Sequence, residues 1–276
     1  MIDILKRCDY LYANLQDCED KQNNPLKDGD CNICLKNNFS NIENDKYDCI
    51  KKLALYTLYF GRLYMEEIYY FITESKILEL FLEKQNINIL SLGAGFCPDN
   101  IALEKYISDN GLYLNYNYFG FDSEKNWRIV RNDKDTSIAK WRVIEDDIYE
   151  ILPKVRSVLY DMNLYHYDII FINKLFSSLE EVKKDIFLMK FTSAINNLPA
   201  NSLIIFNDRS EFALIDKFRK AIPKSLFDLI GKYYIESSCC SRETDFVEIS
   251  FDYTALNNNE KVNKNKTTFL VFKKVK

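Results

Sequence analysis

The stretch INILSLGAGFCPD, residues 87–99, decides the fold. Its first six residues form a mostly apolar run, as expected of a strand covered on both faces, and it passes directly into Gly93-Ala94-Gly95. A β-carbon at Gly93 or Gly95 would crowd anything brought against the strand end, and the backbone amides that follow are expected to face such a ligand. Plain tight turns also carry glycines in this way, so the elements downstream have to separate the two readings.

Residues 99–110 predict a helix with Asp99 or Asn100 able to cap it, and a hydrophobic strand over 114–121 follows, ending in Asp122 and Ser123. An acid at that place can accept both hydroxyls of a ribose. The next strand, 141–144, leads to Glu145, Asp146 and Asp147, from which a carboxylate can accept from an adenine amino group. A near-continuous apolar run over 167–172 ends in Asn173. A helical stretch near 179–197 and a short turn at 199–202 precede a fifth buried strand over 203–207. Strand and helix patterns in alternation predict a parallel sheet covered on both faces, and the ligand at its first turn is expected to be a nucleoside. Residues 246–253 and 267–275 alternate apolar and polar positions around a polar loop, 257–266, and predict an antiparallel pair at the sheet edge.

This order of parts resembles the class I S-adenosylmethionine-dependent methyltransferases, on the strength of Gly93-Ala94-Gly95 after the first strand and Asp122 after the second. The resemblance spans roughly residues 53–276. It implies an α/β, Rossmann-like, mostly parallel seven-stranded sheet with an antiparallel C-terminal strand and helices on both faces. It also implies S-adenosylmethionine as cofactor, held by Ser91, Gly93, Ala94, Gly95, Asp122, Ser123, Asp146 or Asp147, and Asn173. Two positions depart from the family: an acid is usual where Ser91 stands, and a third glycine where Cys97 stands. Serine brings no charge, so contact with the methionine end has to come from elsewhere or be weaker.

Composition agrees with an enzyme of this kind. The chain has 276 residues, 47% of them hydrophobic, enough for one α/β domain with an accessory segment. No run approaches the roughly 18 apolar residues that span a bilayer. The start, MIDILKRC, is charged early and lacks an apolar core with a cleavage site, which predicts a cytoplasmic protein. Net charge is −4, so the whole molecule offers no positive field for nucleic acid. Basic clusters at Arg128, Arg131, Lys134, Lys140 and Arg142, and over 261–276, read as solvated faces, with phosphate contact as the other possibility.

Five of the eight cysteines, Cys8, Cys18, Cys31, Cys34 and Cys49, fall in the first fifty residues. Cys31-Asn32-Ile33-Cys34 has the two-residue gap that lets both thiolates reach one ion, and Cys18 with Cys8 or Cys49 would complete a tetrahedron around a structural zinc. The polar segment around them has little apolar surface of its own, the situation a metal corrects. The competing reading makes the five small buried hydrophobes in a reduced compartment. We therefore divide the chain into a Cys-rich segment, 1–50, and a Rossmann-like domain, 51–276, whose residues 51–84 form a cover helix.

That helix is crowded with aromatics, and Tyr59, Arg62 and Glu66 share one of its faces. Arg62 is expected either to bind the methionine carboxylate or to pair with Glu66. Asn173 and Lys174 lie where the family holds the methyl acceptor, and they are the candidate catalytic, substrate-facing groups. His166 has the pKa for a general base but stands at the wrong end of its strand. Asp208 and Arg209 are further pocket candidates. The Asn-Pro-Pro-Tyr motif of amino-group methylating enzymes is absent, as Asn173 is followed by Lys174-Leu175-Phe176, so the acceptor is left open among small molecules, RNA and protein. A catalytically degenerate binding or scaffold protein on the same fold is the alternative.

Overall fold

The computed structural model describes residues 2–15, 35, 49–84, 86–132, 141–145, 167–237 and 265–275. Helix α1 spans Ile2–Asn14 and α2 spans Ile50–Ser75, followed by a 3-10 turn, Ile77–Phe81. Strand β1 (Asn86–Leu92), α3 (Pro98–Asp109), β2 (Asn115–Asp122), α4 (Trp127–Arg131) and β3 (Trp141–Glu145) come next. After them lie β4 (Ile169–Asn173), a 3-10 turn (Phe176–Ser178), α5 (Glu181–Ile195), β5 (Leu203–Arg209), α6 (Phe212–Ala221), β6 (Phe227–Ser237) and β7 (Asn265–Lys274).

The strands form one sheet in the order β3-β2-β1-β4-β5-β7-β6. β1 to β5 pair in parallel, and β7 runs antiparallel to both β5 and β6. Six strands therefore share one direction and β7 opposes them. The expected antiparallel edge pair is present, but its second member is a correction. The described partners of β7 are β5 on one side and β6, Phe227–Ser237, on the other; residues 246–253, expected as its partner, lie outside the described residues. Gly231 marks a register shift in β6, which interrupts the alternation that makes a strand readable.

Alternate residues of the strands feed two apolar layers. Leu90, Leu92, Ile170, Ile172, Ile204 and Phe206 face α5 and α6, where Phe206 stacks on Phe218 with ring centroids 3.9 Å apart. Ile87, Ile89, Ile169, Phe171, Leu203 and Ile205 face α2 and α3. A third cluster joins α1 to the first half of α2 through Leu5, Cys8, Leu53, Leu58 and Met65, and extends to Phe96 and Trp127. Among the described residues no helix is long and apolar enough to cross a membrane.

Candidate functional site

The crossover from β1 to β2 runs through α3 on one face of the sheet, and that from β4 to β5 runs through α5 on the other. Between β1 and β4 the chain directions diverge, leaving a crevice at the carboxyl ends of those strands, the usual ligand position in open α/β sheets. Pairing is in register up to Phe121–Leu92–Ile172–Phe206. One residue further stand Asp122, Gly93, Asn173 and Asn207, with Asn173 paired to Asn207 and Asp122 to Glu145. A polar row thus crosses the mouth of the crevice.

Gly93 and Gly95 have φ of +71° and +51°, the left-handed region that costs glycine nothing. A β-carbon on Gly93 would stand 2.9 Å from Leu175 Cδ1, while one on Gly95 would meet the Trp127 indole at an ordinary 3.6 Å. The turn is braced from within. The Gly93 and Ala94 amides both donate to the Phe121 carbonyl at 2.9 Å, and the Gly95 amide donates to Asp122 Oδ2 at 2.8 Å. These three N–H groups therefore do not point at a ligand, contrary to the expectation from sequence, because β2 ends beside them and offers both a carbonyl and a carboxylate.

Asp122 is aimed at the turn. Its second oxygen accepts the Glu124 amide at 2.9 Å. Burial pushes its carboxyl above the ordinary range, and the Glu124 and Gly95 amides and the Arg131 charge pull the other way. Arg131 also donates to the Gly95 carbonyl, so this member of a predicted solvated cluster is turned inward onto the turn. Each carboxylate oxygen of Asp122 retains a lone pair for a further donor such as a ribose hydroxyl. Ser123 next to it is exposed.

Asn173 is nearly buried, and neither atom of its side-chain amide has a partner among the described residues. Lys174 beside it sits at φ +53° and is held on all sides. Its ammonium lies 3.1 Å from Glu67 Oε2 of α2, 2.6 Å from Thr267 Oγ1 of β7 and 5.3 Å from the centroid of the Tyr64 ring. Its amide donates to the Asn207 carbonyl at 2.8 Å, and Thr267 in turn bonds Asn207 Oδ1 and the Asp208 carbonyl. Lys174 is thereby the tie between the cover helix and the ends of β4, β5 and β7. Asp208 accepts the Ser177 and Arg209 amides, and burial raises its carboxyl. Arg209 is exposed and pairs with Glu211.

Arg62 bonds Glu66 at 2.7 Å, one turn along α2, which is the ion pair expected as the competing role for this residue. Asp99 does not cap α3. Cys97 is the N-cap residue, in the left-handed conformation, and Pro98 starts the helix with its fixed φ. Asp99 is instead fully buried, with Oδ1 accepting the Tyr118 hydroxyl at 2.8 Å. The Ser91 hydroxyl lies close enough to help stabilise the charged form of Asp99, although outside hydrogen-bond geometry. Sequence reading missed this group, and the only available signal was a polar residue on each side of the glycine turn.

Cys8 lies in the apolar cluster between α1 and α2, and burial pushes its thiol up to about 12. Cys49 immediately precedes α2 and is half-buried. Among the described residues no three His, Cys, Asp or Glu side chains group to hold a metal. Cys18, Cys31, Cys34, Asp146, Asp147 and His166 lie outside the described residues.

No family profile and no curated protein matches the sequence. Among solved structures the chain is similar to the plantazolicin methyltransferase BpumL in complex with a monoazolic desmethylPZN analog and SAH. That likeness has 14% identity and a TM-score of 0.47, over 100% of this chain and 99% of that one. It is also similar to the N-methyltransferase NodS from Bradyrhizobium japonicum WM9 in complex with S-adenosyl-L-homocysteine. There the identity is 8% and the TM-score 0.45, over 88% and 98% of the two chains. A third likeness is to an rRNA methylase from Streptococcus thermophilus, at 10% identity and a TM-score of 0.43, over 74% and 95%. At these scores the likenesses carry no functional weight; strand order and side-chain geometry do.

Proposed function

We propose that this chain binds S-adenosylmethionine across the carboxyl ends of β2, β1 and β4 and transfers its methyl group to an acceptor. The observation that carries the reading is the polar row of Asp122, Gly93 and Asn173 at the crevice where the crossovers diverge. The unpartnered amide of Asn173 supplies the fit. A buried amide without partners costs about 1–3 kcal/mol per group, and a ligand presenting one donor and one acceptor removes that cost. When bound, the cofactor supplies an electrophilic methyl group. The chain's own part is positional: Asp122 holds the ribose hydroxyls, Asn173 orients the group lying over β4, and Lys174 fixes the loop after β4 through Glu67 and Thr267. Lys174 acts here by positioning, since its ammonium is committed. The acceptor is a small molecule, an RNA or a protein.

A second reading is favoured by the turn itself. The committed amides of Gly93, Ala94 and Gly95, and Leu175 lying against Gly93, suit a copy of the fold that has given up the cofactor and serves as a binding protein. Calorimetric titration of S-adenosylmethionine and S-adenosylhomocysteine separates the two. Micromolar binding, lost in Asp122→Ala with the melting profile preserved, supports the enzyme; absence of binding in the wild type supports the scaffold. For the N-terminal segment we propose a structural zinc on Cys18, Cys31 and Cys34 with Cys49 rather than Cys8 as fourth ligand, because Cys8 is packed in the apolar cluster between α1 and α2. Elemental analysis finding well under one equivalent of zinc in the purified protein removes that proposal.

A further inference from the structure

Three aspartates beside the strand ends have both carboxylate oxygens satisfied. Asp168 takes Lys84 Nζ and the Asn88 amide, Asp208 takes the Ser177 and Arg209 amides, and Asp122 takes those of Gly95 and Glu124. Asp99 differs from all three. It is fully buried, its Oδ1 takes the Tyr118 hydroxyl, and its Oδ2 has no hydrogen-bond partner. The buried Ser91 hydroxyl close by lacks one as well. The groups that stabilise the charged Asp99 are those two hydroxyls and the amides at the head of α3; no basic side chain of the described residues is among them. A cationic N–H donor brought to that oxygen would complete it and hold the carboxylate charged.

The place matters as much as the chemistry. Ser91 stands two residues before Gly93 and Asp99 four after Gly95, both on the α3 face, so the pair brackets the turn at the mouth of the crevice. We propose that Asp99 and Ser91 together receive the cationic amino group of an amino-acid arm carried by the nucleoside ligand. This rests on the cofactor reading above and gives it a specificity: the negative charge absent at Ser91 is delivered from the first turn of α3. Nucleosides with an ammonium-bearing arm are selected, and nucleotides, whose phosphates would meet the carboxylate, are rejected.

The test is calorimetric titration of the whole chain with three ligands: S-adenosylhomocysteine, its analogue with hydrogen in place of the ammonium, and 5′-deoxy-5′-methylthioadenosine, which lacks the arm. The wild type is expected to prefer S-adenosylhomocysteine over the ammonium-free analogue by about tenfold or more. Asp99→Asn is expected to abolish that preference while leaving methylthioadenosine affinity unchanged. Equal binding of the first two ligands by the wild type, or an undiminished preference in Asp99→Asn, overturns the proposal. If Asp99→Asn fails to fold, Ser91→Ala replaces it, and a preference there as large as in the wild type is the overturning result. If methylthioadenosine and S-adenosylhomocysteine both fail to bind, the cofactor reading falls and takes this assignment with it.

Discussion

Replacing Lys174 by methionine keeps an unbranched side chain one atom shorter but removes the charge that Glu67 faces across 3.1 Å. Coulomb attraction at that separation is on the order of 5 kcal/mol for an effective dielectric of 20. Both side chains are nearly excluded from water, Glu67 at 0% and Lys174 at 9% exposure, so screening discounts little of it. Removing one partner of such a pair costs about 3–5 kcal/mol, because a carboxylate is then buried without its ammonium. For a chain of this size that corresponds to a fall of roughly 6–20 °C in the melting temperature. Replacing both, as Glu67→Leu with Lys174→Met, is expected to recover most of the loss, since two apolar side chains carry no desolvation penalty. Urea titration of the wild type, both single variants and the double variant measures the coupling directly. A loss below about 1 kcal/mol in Lys174→Met, or a double variant no more stable than the singles, refutes the buried-tie reasoning. The double variant also settles the chemical role: restored stability with retained cofactor binding and transfer makes Lys174 a positioning residue, whereas restored stability with transfer abolished makes it catalytic.

Alanine at the two turn glycines should separate strain from collision. Gly95→Ala is expected to cost about 1–2 kcal/mol from its backbone alone, and Gly93→Ala about 2–4 kcal/mol because its new β-carbon also meets Leu175; equal losses in denaturant titration refute the contact. Burial raises Asp99, so the folded chain binds a proton there more readily than the unfolded chain and its stability falls as pH rises above the ordinary carboxylate range. Asp99→Asn is accordingly expected to be more stable than the wild type at neutral pH and to lose that advantage on acidification, measured by melting across pH; a pH-independent difference contradicts it. Alkylation of the folded protein after chelation of metal, followed by mass spectrometry, should modify Cys49 and spare Cys8, whose thiol is buried and pushed up to about 12; rapid labelling of Cys8 would place it outside the α1–α2 core.

What the sequence by itself determined was the series of buried strands. Continuous apolar runs at β1, β4 and β5 and the glycines after β1 report burial on both faces and a required left-handed turn, and these are local properties of the chain. Asp122 at the end of β2 and the helical stretches between strands were legible for the same reason. The tertiary structure alone decided the partner of β7, because the register shift at Gly231 breaks the alternation of 227–237 and pairing between strands is a non-local choice. It alone decided that the glycine-turn amides are spent on Phe121 and Asp122, and that Lys174 is bound to Glu67 more than a hundred residues earlier. Asp99 is the sharpest case. Its spacing reads as a helix cap, but Pro98 starts the helix and turns its carboxylate under Tyr118, and no periodicity encodes which polar groups a packed interior leaves without a partner.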